Sequence, residues 1–150
     1  MNQHEFIVRL TKYLKLTRVE YGFTQEEMAQ FLGLSKKTLV ETEKGRRNLS
    51  WTECIAFTTL FSGSALLQNE FGGELSDMVK AYAFSGKKVD YPRTLGGKIW
   101  WKTIRDEKGY RIQQNIVSAH FRILDSQDGR IMSTFSQEEA DQFFAKLTNQ

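Results

Sequence analysis

Three residue types able to do nucleophilic chemistry lie close together late in the chain. Ser118 and His120 alternate onto one strand face, and Asp125 follows nearby. A nucleophile, a base and an orienting carboxylate could serve acyl transfer. Their spacing matches no recognised triad, and the plainer reading of His120 is a strand residue at a sheet surface. There is no Gly-rich phosphate loop and no paired-carboxylate signature, and Gly72-Gly73 and Gly96-Gly97 read as breaks. Cys54 is the single cysteine and sits in an apolar helical stretch. One cysteine rules out an intramolecular disulfide and a multi-cysteine metal cluster. With His4 and His120 as the two histidines, a histidine-rich metal site is not expected either. The expectation is a protein that is not an enzyme and carries no cofactor or metal.

The charged residues are more informative. The whole chain of 150 residues carries +3, too little by itself to imply a nucleic-acid partner. Between Lys36 and Arg47, however, Lys36, Lys37, Lys44, Arg46 and Arg47 face only Glu41 and Glu43. That short run holds as much net charge as the entire chain. A second basic stretch runs from Lys98 to Arg122, and the remainder from Ile123 is net acidic. A charge run is ordinarily a solvated face; the first run stands out because of the elements around it.

Residues 1–67 read as short helices. Phe6, Leu10, Tyr13, Leu14 and Thr17 recur at helical spacing, and Gly22 ends that segment. Thr24 with Glu27, and Ser50 with Glu53, have the spacing of capping boxes. Ser35 opens a helix that Gly45 stops. Short helices are expected at about 65–71 and 74–84, then a linker over 85–98, where glycine, proline and charge interrupt any apolar period. The last third changes period. A strand is expected over Ile99–Ile104, a turn at Asp106–Gly109, and alternation from Tyr110 to Ile123 whose parity flips near Asn115–Ile116, implying a bulge or bend there. After a hairpin turn at Asp125–Gly129 come a strand at Ile131–Phe135 and a helix capped by Ser136 and Glu139, with Ala140, Phe143, Phe144 and Leu147 as its buried stripe.

The stretch Thr24–Arg47 joins two of these helices through Gly33-Leu34-Ser35. Ala29 is small where the second helix must cross closely, and Gly33 permits the tight turn. Phe31 or Leu32, with Leu34 and Leu39, supply apolar contacts, leaving the polar start of the second helix exposed.

This stretch resembles the helix-turn-helix of the Xre/Cro/phage-repressor family. The matching positions are Thr24-Gln25, Ala29, Gly33, Ser35 to Thr38, and Glu43-Lys44-Gly45-Arg46. The likeness spans about residues 6–61. Two positions depart: Val40 stands where the family usually has a polar residue, and Thr42 where it usually has a buried apolar one. The resemblance implies double-stranded DNA as partner and a recognition helix at about 35–44. Gln25 would contact a phosphate. Ser35, Lys36 and Lys37 open the recognition helix, and both lysines could donate to guanine O6/N7. Thr38 would meet a phosphate or a thymine methyl, and Glu41 could accept from cytosine N4. Lys44, Arg46 and Arg47 suit phosphates. Glu43 is expected to pair internally. The plain alternative is an i,i+4 pair between Lys37 and Glu41 on a wet helix. One such unit makes few base contacts, so a homodimer on half-sites about one helical turn apart is implied.

The expected fold class is α+β: a repressor-like all-α bundle at 1–67, short helices and linker at 68–97, and at 98–150 a small three-stranded antiparallel sheet with one C-terminal helix. Three readings of that last part stay open. It dimerises, with Trp100 or Trp101 as an interface anchor. It is a second nucleic-acid surface built from Trp100, Lys102, Arg105, Tyr110 and Arg111. Or it binds a protein partner or small effector. The functional expectation is a cytoplasmic, sequence-specific transcriptional regulator, a repressor acting as a dimer. The alternative is an antitoxin-type regulator whose C-terminal part binds a protein. No apolar run is long enough to span a membrane, and the first residues lack a signal peptide's apolar core.

Overall fold

A computed structural model describes residues 1–89 and 100–149. Contacts group the chain into two units, Met1–Val89 and Asp90–Gln150. The first unit contains α1 (Gln3–Lys12), α2 (Leu14–Glu20), α3 (Gln25–Leu32), α4 (Lys36–Glu43), α5 (Trp51–Leu60), α6 (Ala65–Phe71) and α7 (Leu75–Phe84). Both expected capping boxes close, Thr24 with Glu27 and Ser50 with Glu53. A third, Asn2 with Glu5, opens α1. The single helix expected before Gly22 is interrupted at Tyr13, which caps α1 and begins α2. The period survives the break, so Phe6, Leu10, Leu14 and Thr17 are all fully buried.

The core of this unit gathers Phe6, Leu10, Leu14, Met28, Leu39, Cys54, Phe57 and Leu67 from α1–α6, and Leu75 and Val79 from α7. Burying each large apolar side chain contributes about 1.5–3 kcal/mol. Glu70 of α6 ties back to α1 and to the junction after it, accepting from Arg9 and from the Tyr13 hydroxyl. The expected linker over 85–98 falls mostly on 90–99, outside the described residues.

The second unit contains β1 (Trp101–Glu107), β2 (Tyr110–Asn115), β3 (Phe121–Leu124), β4 (Arg130–Thr134) and α8 (Gln137–Thr148). The strands form an antiparallel meander in sequence order. The expected three strands are therefore four, within the expected α+β class. Of the bulge or bend expected near Asn115–Ile116, the structure has the bend, as a full reversal that makes 110–124 a hairpin of β2 and β3. Asn115 Oδ1 accepts from the amides of Val117 and Ser118 (2.9 and 3.0 Å). Ala119 then takes φ +63°, and the chain reverses. Ile116 and Val117 kept the apolar pattern of a strand, yet they sit 60% and 74% exposed at the turn. The actual bulges lie at edge strands: Ile104 is the extra residue between the Thr103–Gln113 and Arg105–Ile112 pairs, and Ile131 between the Ile123–Met132 and Leu124–Arg130 pairs. Lys108 and Gly109 both have positive φ, 52° and 83°, as a tight two-residue hairpin requires.

One sheet face packs on α8, with Ile112, Phe121 and Ile123 against Ala140 and Phe144. Phe143, expected in the buried stripe, is exposed. The Ser136–Glu139 capping box forms by half. Ser136 accepts from the Glu139 amide, but the Glu139 carboxylate receives the Thr134 hydroxyl (2.6 Å) instead of the cap backbone.

Candidate nucleic-acid interface

Two helices meet at a turn with named causes. Gly33 adopts φ +70° at the end of α3, and the Leu34 amide reaches back to Ala29 O at 2.8 Å. A Cβ on Gly33 would meet nothing within 4 Å, so the glycine serves the backbone angle rather than close contact. Ala29, Leu32 and Leu39 are buried, which settles the choice between Phe31 and Leu32. Phe31 is instead 42% exposed, edge-on to Phe23.

Ser35 caps α4, accepting from the Thr38 amide (3.0 Å) and donating to Thr38 Oγ1 (2.8 Å). Thr42 is buried, but its hydroxyl donates to Thr38 O (2.7 Å) and accepts from Arg47 (2.8 Å). Both of its polar functions are satisfied, so a hydroxyl is tolerated where an apolar side chain is usual.

Glu43 is paired internally, as expected. Its side chain is 3% exposed and receives Arg18 Nε and Nη2 at 2.8 and 3.1 Å. Arg18 also donates to Phe23 O (3.0 Å), so one guanidinium joins α2, the turn before α3 and the end of α4. Hydrogen bonding to Glu43 raises the Arg18 pKa further above its ordinary value. Gln25 Nε2 donates to the same carboxylate at 3.2 Å. This fixes the Gln25 amide at the start of α3 and leaves its second N–H uncommitted. No local pattern marks Arg18, which lies far from Glu43 along the chain and outside any motif.

The expected DNA contacts differ in how free they are. Lys37 and Lys44 are exposed and, among the described residues, have no hydrogen-bond or ion-pair partner. The Lys37–Glu41 pair does not form; Glu41 takes Arg46 instead (3.1 Å). Lys36 pairs with Glu26 of α3 (2.5 Å), which holds the Glu26 carboxyl below its usual range. Both pairs are exposed, where such contacts contribute about 0–1 kcal/mol and yield to a stronger anion. Arg47 is more firmly held, by Glu53 (2.7 and 3.0 Å) and Thr42. It fastens the segment after α4 to the start of α5. Lys12 and Lys15 were not anticipated. Lys12 at the end of α1 and Lys15 in α2 line one groove with Lys44 and Asn48.

Ser118 Oγ contacts His120 Nδ1, but Asp125 Oδ1 is committed to the amides of Gln127 and Gly129 (2.9 and 2.8 Å). Burial pushes the Cys54 thiol up to about 12, far from a thiolate. Among the described residues no cluster of three His, Cys, Asp or Glu could hold a metal ion. No described helix is long and apolar enough to cross a membrane.

Trp100 is 45% exposed. Trp101 is half-buried, with the Arg122 guanidinium over its ring at 3.8 Å.

Residues 14–59 match a family model described as helix-turn-helix. No curated protein and no solved structure matches the chain.

Proposed function

We propose that this chain, a DNA-binding transcription regulator by virtue of its Xre/Cro-type helix-turn-helix at residues 14–59, reads a specific duplex sequence through α4 and represses as a dimer. The observation that carries the reading is the pairing of two features. Lys37 stands exposed and unpartnered among the described residues in the first turn of α4. The Gln25 amide, in turn, is held in place at the start of α3 by Glu43.

The major groove is about 12 Å wide and admits one helix. With α4 inserted, Lys37 donates to guanine O6/N7, and Lys36 does so on leaving Glu26. Thr38 meets a phosphate or a thymine methyl, next to the Ser35 cap. Glu41 accepts from cytosine N4 once Arg46 exchanges it for a phosphate. Gln25 gives its free N–H to a phosphate at the N-terminus of α3, where the helix dipole favours the same anion. Lys44 and Arg46 take further phosphates, and Arg47 offers the N–H groups left over from Glu53 and Thr42. Few base edges are reached by one unit, so binding needs two copies on half-sites about 34–36 Å apart. Exposed Trp100, Val117 and Phe135 favour the second reading, in which the C-terminal unit also docks a protein, as an antitoxin does.

Lys37→Ala is expected to lose discrimination at one base pair, about 1–3 kcal/mol. Arg46→Ala should weaken all sequences alike and flatten the salt dependence by about one phosphate's share. Competition binding with single-base-pair operator variants measures the first, and a salt titration the second. Unchanged affinity and preference in Lys37→Ala would remove α4 from the reading role.

A further inference from the structure

The sheet of the second unit has α8 on one face only. The strand register turns Arg111 and Arg122 to the other face, because their sequence neighbours Ile112 and Ile123 point to α8, and Trp101, under the Arg122 guanidinium, lies with them. Arg130 joins them, opposite Leu124 and within 5.9 Å of the Trp101 ring. This is not the surface that sequence order suggested. Arg105 lies on the α8 side, over Phe144 at 4.8 Å, and Tyr110 packs with the α8 core.

Three guanidiniums thus share one face. Arg111 is matched by Asp128. Arg122 has only a neutral acceptor, Gln113 Oε1, reached by Nε and Nη2 at 2.9 and 2.8 Å. Burial, Arg130 and Arg111 all push its pKa down, so the cluster carries positive charge with no compensating carboxylate at Arg122. The acids Glu138, Glu139 and Asp141 lie on α8, the layer covering the opposite face, while Asp106, directly across the ladder from Arg111, and Asp128 lie with the arginines and leave three guanidiniums against two carboxylates. The positive excess on this face centres on Arg122 and Arg130, and a local excess of that kind attracts a polyanion.

The aromatic residues narrow the choice of polyanion. Trp101 is covered by Arg122 and met edge-on by His120 at 4.9 Å, so its face is closed to stacking by bases. It instead holds a planar guanidinium whose remaining N–H groups suit phosphate oxygens. An anion of regularly spaced phosphates fits this better than an unstacked strand. The geometry points to the open sheet face as a second duplex-DNA contact, in which Arg122, Arg130 and Arg111 grip phosphates. This grip on duplex phosphates stands apart from sequence reading by α4.

The test uses the full chain and a long, labelled, mixed-sequence duplex, titrated over a salt series. Arg130→Gln removes an exposed charge and leaves the Trp101–Arg122 stack in place. Arg122→Gln/Arg130→Gln removes both charges, with circular dichroism to check the fold. Each lost phosphate contact should lower the slope of log K against log salt by about 0.9. A helix variant, Lys37→Ala/Lys44→Ala/Arg46→Ala, should keep residual duplex binding that vanishes when the sheet arginines are also replaced. Wild-type slopes for the folded Arg130→Gln and double variants, in both backgrounds, would overturn the inference. A helix variant that binds like wild type while the sheet variants flatten the slope would sink the α4 reading and leave the sheet contact standing.

Discussion

Glu43→Ala is expected to lower the stability of the first unit by about 3 kcal/mol, near the low end for breaking a buried ion pair. The carboxylate is almost sealed from water and receives three donors, two from Arg18 and one from Gln25. Its removal leaves the Arg18 guanidinium, with 13% exposure, without a counter-charge. Partial access to water keeps the loss below the upper range. Domains of this size are stable by about 5–15 kcal/mol, so the variant should unfold markedly earlier in urea. DNA binding should fall further than the folded fraction does, because Gln25 also loses the acceptor that orients it. The paired replacement Arg18→Met with Glu43→Leu separates the two effects. It should recover most of the stability, since apolar pairs of similar volume replace buried ion pairs at little cost, without restoring the phosphate contact of Gln25. A urea midpoint for Glu43→Ala equal to wild type would show that the triad of Arg18, Glu43 and Gln25 does not hold the two helices together.

Phe144→Ala should cost the second unit about 3–5 kcal/mol, the usual range for emptying a buried aromatic site. Here the loss falls on a small core. Among the described residues, Phe144 is fully buried with Ile112, Phe121, Ile123 and Ala140 as the buried apolar companions of its cluster. Arg105 also rests on its ring, so truncation loosens β1 as well as α8. The three tryptophans make the result readable: Trp51 starts α5 in the first unit, whereas Trp100 and Trp101 lie in the second. Replacing Trp51 by phenylalanine isolates the second unit's fluorescence, and replacing the other two isolates the first. The urea transition reported by Trp100 and Trp101 should move to lower urea, while that reported by Trp51 stays put. Equal shifts in both would mean that the two units unfold as one.

Local signals carried most of what was legible in the sequence. Thr24, Ser35 and Ser50 announced three helix starts because a cap is a short-range hydrogen bond between neighbours. Gly33 announced the turn because its left-handed angle is a property of one residue. Glu43 was assigned an internal role, but its partner Arg18 was invisible, since a contact across 25 residues leaves no local pattern. The free state of Lys37, against the pairing of Lys36 with Glu26, was equally hidden. The sheet misled for a physical reason. Ile116 and Val117 continue the apolar run of a strand, whereas the reversal is made by the Asn115 side chain, which the apolar period does not register. That hidden turn also decided which arginines share a face. Arg122 and Arg130 therefore join Arg111, while Arg105 is turned away.

The most direct test of sequence reading by α4 is selection from random duplex DNA by the full-length protein, with Lys37→Ala selected in parallel. The account predicts an enriched two-fold symmetric motif, its half-sites about one helical turn apart. The same motif should emerge from Lys37→Ala with one position per half-site relaxed. No enrichment by the wild-type chain, or an identical motif of equal strength from Lys37→Ala, would contradict it.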